Sequence, residues 1–355
     1  MGVHFWEEPM FESVTAPELR LKMDESGIRI LTPILPNGMQ AGEEIRAQEL
    51  LLDRYMQTHI GGEVIAWYYT PMALRFTGHL DAETIVYDCM DELSAFLGAP
   101  VELGQWEQKL FQRADVVFTG GASLYAAKRR QHQNVHLFAS SVDKEHFAAA
   151  RTPQPDPSDQ SGIPHPRIGF FGVLDERLDT GLLREVARSH PEWHFVLIGP
   201  VVKIGEDQLP RANNIHYLGR KDYSELPRYI ANWDVAILPF ARNASTRFIS
   251  PTKTPEYLAA GKRVVSTSIQ DVLNPYGQLG LVEIADNAEE FSQAIARSLH
   301  PHDDTWQKSV EQFLAEMSWN TTVEGMLKEI ERCGLRKTAH SRTSSASLQR
   351  SGTHV

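Results

Sequence analysis

The segment FISPTKTPEYLAAGKRVVST, residues 248–267, gathers residue types that handle phosphates and vicinal hydroxyls. Thr254 followed by Pro255 has the form of an N-cap and first helical position, and Gly261 suits the left-handed residue that ends a short helix. That reading delivers Thr252, Lys253 and Thr254 to a helix start. Free N–H groups, the positive end of the helix dipole and an ammonium would together hold a diphosphate there. Glu256 then falls in the first turn, placed to accept two hydrogen bonds from neighbouring hydroxyls such as those of a ribose. Charge-assisted bonds of this kind contribute about 1.5 to 3 kcal/mol each. Taken singly, a first-turn glutamate also serves as a plain dipole partner and a lysine as a solvated charge, so the argument rests on the set.

A second group lies in VYDCMDELSAF, where Asp88, Asp91 and Glu92 follow a buried apolar run. Carboxylates at the C-terminal end of such a strand occupy the place where α/β proteins bind ligands. Asp91, ahead of Asp88, is a candidate general base for a substrate hydroxyl. An aspartate after a strand also commonly caps the next helix.

The elements that must position these residues are written as alternating apolar runs and helical stretches. VHFW, IRILTPIL, EVIAWYY, TIVYD and ADVVFTG read as strands of the first half, and EEIRAQELLLDRYMQ from Glu43 as a helix. Residues 148–167, AAARTPQPDPSDQSGIPHPR, carry five prolines and little core material, and mark a boundary. The rhythm restarts with RIGFFGV, WHFVLIGPV, NIHYLG, DVAILPF, RVVST and LVEIA. Two Rossmann-like α/β domains follow: an acceptor-side domain over residues 1–150, a linker over 151–166 and a nucleotide-binding domain over 167–335. Asn287 and Glu290 form a capping-box pattern for a late helix, and one more helix carries Val323, Met326, Leu327 and Ile330 on one face. Residues 336–355 are Ser/Thr-rich and poor in large apolar side chains, which predicts a disordered tail.

PTKTPEYLAAGKRVVST resembles the donor-binding helix of glycosyltransferases of the GT-B fold, family 4 (group 1), including bacterial enzymes of cell-surface polysaccharide synthesis. The resemblance implies that Glu256 holds the nucleotide ribose. RIGFFGVLDERLD is similar to the first strand, glycine turn and phosphate-facing arginine of that domain, which carries those roles to Gly172 and Arg177. Arg177 could equally pair with Asp175 or Glu176. The segment 219–223 corresponds to the loop near the nucleotide base. Two departures stand out: Phe248 occupies the place where retaining members carry a second glutamate, and relatives have a further strand and helix ahead of VHFWEEP. In a Rossmann order of 3-2-1-4-5 that strand is central, so its absence leaves a gap in the sheet instead of trimming an edge.

The resemblance implies a glycosyltransferase that moves a sugar from a nucleotide-sugar donor, UDP-linked, to a saccharide or lipid-linked acceptor. With no cofactor and no metal motif, fixed cations would stabilise the departing diphosphate. Alternatives are a sugar-nucleotide epimerase on the same fold and a catalytically silent scaffold of a polysaccharide-assembly complex. A dinucleotide-dependent oxidoreductase would need a strand followed by G-x-G-x-x-G, which the chain lacks.

Bulk properties set the remaining bounds. The 355 residues suffice for two domains, and 42% hydrophobic with 23% charged residues is an ordinary globular composition. A net charge of −11 disfavours nucleic acid as a partner. With no signal-like N-terminus, no long apolar run and two well-separated cysteines, the expected location is cytoplasmic, with peripheral contact at the inner face of a membrane where the acceptor is lipid-linked. Gly120 and Gly121 suggest close packing, Trp67 a core or interdomain aromatic, and His132 and His136 no metal site, because Val135 to Phe138 reads as a strand.

Overall fold

The computed structural model describes residues 2–300 and 304–350, with 336–350 described by their backbone only. In the N-terminal half, strands β1 (His4–Trp6), β2 (Met10–Glu12), β3 (Glu18–Met23) and β4 (Arg29–Pro36) form one sheet. Strands β5 (Ile65–Tyr68), β6 (Thr84–Cys89), β7 (Val116–Thr119) and β8 (Val135–Leu137) form another, parallel throughout. Helices α1 (Ala41–His59), α2 (Leu74–Thr77), α3 (Leu103–Arg113) and α4 (Ala122–Lys128) connect or cover these strands.

The first sheet is built around β4. Antiparallel β3 takes one of its edges, so β1 and β2, both parallel to β4 and pairing with successive parts of it, share the other. Among the described residues no strand pairs with the outer edge of β1 or of β5. The N-terminal half therefore holds two separate sheets. Side chains bridge the division: the rings of Phe5 and Tyr69 lie 6.5 Å apart and those of Trp6 and Phe76 5.7 Å.

The C-terminal half contains one continuous sheet. Strands β9 (Arg167–Phe171), β10 (His194–Ile198), β11 (Ile215–Gly219), β12 (Val235–Leu238), β13 (Val264–Ser266) and β14 (Glu283–Ile284) lie in the order β11-β10-β9-β12-β13-β14, all parallel. This is the doubly wound 3-2-1-4-5-6 arrangement, with β9 central and its switch point between β9 and β12. Its strands are almost wholly buried because helices pack on both faces, which explains their unbroken apolar runs.

Between the halves, α5 (Lys144–Ala148) comes first, and Val142, Phe147 and Ala150 already pack into the C-terminal core. The proline-rich stretch after it is also anchored. Gln160 is fully buried and accepts a hydrogen bond from Trp233 Nε1 at 2.9 Å, and Ile163 joins the same core. Helices α6 (Thr180–Ser189), α7 (Leu226–Ala231), α8 (Lys253–Ala259), α9 (Gln270–Val272), α10 (Ala288–Ser298) and α11 (Asp304–Ala315) complete the second domain. The last helix, α12 (Trp319–Arg350), crosses back and packs Met326, Ile330 and Cys333 against Val86, Val116 and Phe118 of the N-terminal half. Its backbone continues into the stretch assigned above to a tail, of which residues 351–355 lie outside the described residues. Among the described residues no helix is long and apolar enough to cross a membrane.

Candidate functional site

The best-defined cluster gathers where the C-terminal ends of β9 and β10 meet the start of α8. Gly172 and Gly199 follow β9 and β10 with φ of +144° each, a conformation open to glycine and costly to other residues. The two turns also touch: a Cβ on Gly199 would stand 1.8 Å from the Gly172 carbonyl oxygen, and a Cβ on Gly172 would stand 2.2 Å from Lys253 Cε. Backbone and lysine are thus packed without room for a methyl group.

Lys253 is the first residue of α8, and Thr252 is its N-cap. This corrects the expected cap at Thr254: Thr254 and Pro255 sit inside the first turn, where a proline is tolerated because the N–H it lacks has no partner in the helix anyway. Thr254 is fully buried and its hydroxyl has no partner. Gly261, at φ +73°, closes the helix as expected, with its N–H bonded to the Leu258 carbonyl at 2.9 Å. Burial lowers the pKa of Lys253, and the Glu256 carboxylate acts against it. Burial likewise pushes Glu256 up to about 7, with Lys253 opposing. Both groups are driven towards their neutral forms, and Glu256 Oε2 is buried with no hydrogen-bond partner. A group that costs so much to leave unpaired is built to receive a donor.

Arg177 reaches the same place from the loop after β9. Asp175 holds it as a fork, with Nε 2.9 and 3.0 Å from the two carboxylate oxygens and Nη2 2.6 Å from one of them. The pairing considered from sequence therefore exists, and it also fixes the guanidinium's direction. Tyr223, at the end of the loop 219–223, stacks on His146 with ring centroids 4.3 Å apart, and burial, with the Glu256 charge adding to it, raises its pKa.

From the N-terminal half, the loop after β6 faces this cluster. Burial raises the pKa of Asp91, while Arg177 and Lys253 lower it, which puts all three in one electrostatic neighbourhood. The same loop docks on the second domain: Leu97 N–H donates to Glu176 Oε1 at 3.1 Å, and Phe96 lies 5.4 Å from the Arg177 guanidinium and 5.0 Å from Lys203 Nζ. Asp88 points elsewhere. It stands beside Phe118 in the register of β6 and β7, where it accepts a hydrogen bond from Trp67 Nε1 at 3.1 Å. Burial pushes Asp88 up to about 6, and its Oδ1 has no partner. Asp91 therefore lies within electrostatic reach of Arg177 and Lys253, whereas Asp88 is buried within β6 and bonded to Trp67.

Several residues here carry little signal in the sequence. Asp271, in α9, accepts a hydrogen bond from Ser123 N–H at 3.0 Å, and a Cβ on Gly121 would stand 2.1 Å from its Oδ2. That is the close packing expected of the glycine pair, and it joins the two domains. Phe248, in the place of the second glutamate, packs against the N-terminal core cluster and so also spans the domains. Lys203, with φ of +65°, and the buried Lys128 have no motif around them. His132 bonds the Ala114 carbonyl and His136 the Asn134 side chain, both along strand-side contacts. Asn287 accepts a hydrogen bond from Glu290 N–H as predicted, but the Glu290 carboxylate returns to Asp286 N–H instead of closing the box.

Comparison with known proteins agrees with this fold. Residues 165–300 match the family model described as glycosyl transferases group 1. The chain is 27% identical over 299 residues to the candidate teichuronic acid biosynthesis glycosyltransferase TuaH of Bacillus subtilis, covering 78% of this chain and 75% of that protein. Among solved structures it resembles a sucrose-phosphate synthase from Thermosynechococcus elongatus, with TM-score 0.65, 14% identity, and 96% and 89% of the two chains covered. It also resembles OtsA in its apo form, with TM-score 0.68, 12% identity, and 93% and 92% covered. Anabaena HepE in complex with UDP and glucose gives TM-score 0.60, 15% identity, and 85% and 86% covered.

Proposed function

We propose, starting from a chain that belongs to the group 1 glycosyltransferases of the GT-B fold, that Lys253, Arg177 and Glu256 hold a UDP-linked sugar whose acceptor enters from the Asp91 side. The acceptor in this reading is a saccharide or lipid-linked saccharide of cell-surface polysaccharide synthesis, in keeping with the named role of the TuaH relative. Where the acceptor is lipid-linked, the chain works at a membrane surface. The observation that carries the reading is the buried, unpartnered Oε2 of Glu256 in the same turn as the half-buried Lys253. Two ribose hydroxyls would donate to that carboxylate while the diphosphate lies against Lys253 and the first turn of α8.

The chemistry follows from where charge appears. As the bond from the anomeric carbon to the phosphate oxygen breaks, negative charge gathers on the diphosphate. Cations already fixed in place then stabilise the transition state more than the ground state. Lys253 is packed against Gly172, and Arg177 is clamped by Asp175, so neither has to reorganise at that moment. Removing one such group should raise the barrier by about 3 to 4 kcal/mol. Asp91, beside both cations, takes the proton of the acceptor hydroxyl if the anomeric carbon inverts. Asp88, under Trp67, does not reach that position and serves the acceptor side only indirectly. In this reading the cations do the work of a bound metal.

The test is calorimetric titration with UDP in EDTA, comparing the wild type with Glu256→Ala and Lys253→Ala. Metal-free binding that both variants lose supports the assignment. A folded wild-type protein that does not bind UDP or GDP would sink it.

A further inference from the structure

A buried charge cluster lies behind the Asp91 loop. Lys128, the last residue of α4, has a side chain only 1% exposed, and its ammonium lies 2.8 Å from both Glu107 oxygens and 2.8 Å from Glu92 Oε2. Tyr87 donates to Glu107 Oε1 at 2.8 Å. Taking an ammonium out of water is costly unless it is fully paired, and for internal packing a partnership with Glu107 alone would serve. The third contact goes outward, to a residue next to Asp91. Glu92 lies beyond the β6 ladder as the N-cap of a single 3-10 turn over Leu93–Ala95, with φ and ψ of −80° and 77°, and its carbonyl accepts from Ala95 N–H at 2.9 Å. Its other carboxylate oxygen accepts from the Ser94 hydroxyl at 2.7 Å and so closes the turn that leads to Phe96 and Leu97.

We propose that Glu92, tethered by the buried Lys128, is a positioning residue that holds Asp91 against Arg177 and Lys253. This rests on the reading of Asp91 as a group that serves the reaction. The loop is held at Cys89 at the end of β6, whose Sγ donates to the Asp91 carbonyl at 3.6 Å, at Glu92 on Lys128, and at Leu97 on Glu176 of the other domain. Asp91 lies between the first two, one residue from the tether. Helix α4 extends the argument across the cleft, because its opposite end meets Asp271 of the C-terminal domain through Ser123. One short helix therefore contacts the donor-side domain at its start and the Asp91 loop at its finish. Glu92 acts through Asp91 and touches neither donor nor acceptor.

The experiment uses the full chain with UDP-glucose and no acceptor, following UDP release by hydrolysis. Glu92→Ala is expected to lower kcat about tenfold or more with KM changed less than about twofold, the split that marks a lost transition-state contribution. Glu92→Gln keeps an oxygen for Lys128 and an amide for Ser94, and should stay within about threefold of wild type. In an Asp91→Asn background, Glu92→Ala should cost nothing more, since residues acting through one another are not additive. A wild-type rate for Glu92→Ala overturns the tether. So does an undiminished further loss in the Asp91→Asn background. A wild-type rate for Asp91→Asn overturns the reading beneath it, and is told apart because that single variant shows it. If the wild type does not hydrolyse UDP-glucose, amide exchange decides. Exchange across residues 90–97 that is faster by about tenfold in Glu92→Ala, with β6 and β7 unchanged, supports the tether. Unchanged exchange in that segment overturns it.

Discussion

The two halves of this chain are made from the same kind of unit and end up differently. The C-terminal half closes six parallel strands into one sheet, whereas the N-terminal half holds its eight strands as two sheets joined by side chains. In the first, the turns that frame the site are set by close contact of main chain with main chain, as at Gly172 and Gly199. In the second, the corresponding loop is set by side-chain bonds, Glu92 to Lys128 and Leu97 to Glu176. A sheet with all its central strands paired transmits position through the backbone. One that is divided must rely on individual polar contacts, each worth far less on its own.

That contrast can be broken most directly at Gly199. Gly199→Ala places a methyl group into the Gly172 carbonyl and forces a left-handed backbone. We expect a loss of about 3 kcal/mol or more in urea unfolding, and loss of UDP binding with it. Retention of both would show that the C-terminal site is not fixed by backbone packing. A smaller effect should appear without any mutation. Amides of β1 and β5 should open with free energies about 2 kcal/mol below those of β9 and β12 in native-state hydrogen exchange. Equal protection would mean that the division of the N-terminal sheet has no energetic meaning.

The smallest effect sharpens the comparison at the level of charge. Glu256 titrates near 7 because burial raises it, and only its ionised form can accept both ribose hydroxyls. Affinity for UDP-glucose, which does not itself titrate in this range, should therefore rise roughly tenfold from about pH 6 to 8. The stability of the unliganded protein has the opposite sign. A carboxyl whose pKa is raised on folding stabilises fully at low pH and loses that contribution as pH climbs from its ordinary value through about 7. Glu256→Gln should flatten both profiles. Persistence of the affinity slope in that variant would assign it to another group.

Much of this was legible in the sequence, for identifiable reasons. The buried parallel strands announced themselves as apolar runs, since a strand covered on both faces needs no polar residues. PTKTPEYLAAG gave Lys253, Glu256 and Gly261 because helix ends demand particular residue types. Strand β3, ELRLKM, was missed because most of it is exposed and its charges hide the pairing with β4. The cap was misplaced by two residues because Pro255 suits either the first position or the rest of the first turn. Lys128 and Asp271 were illegible as site neighbours, since each acts on a segment far away in sequence and nothing local marks it. Asp88 and Asp91 looked alike in VYDCMDEL, and only the end of β6 at Cys89 separates a strand residue bonded to Trp67 from a loop residue.

The return of α12 to the N-terminal half means that the chain passes between the domains twice, once before α5 and once after α11. Two crossings define a line, and the cheapest relative motion of two bodies joined at two points is rotation about that line. Opening and closing of the cleft is thereby reduced to something like a door on two hinges. A single cut in the stretch 139–141, ahead of Val142, would leave the door hanging from the other.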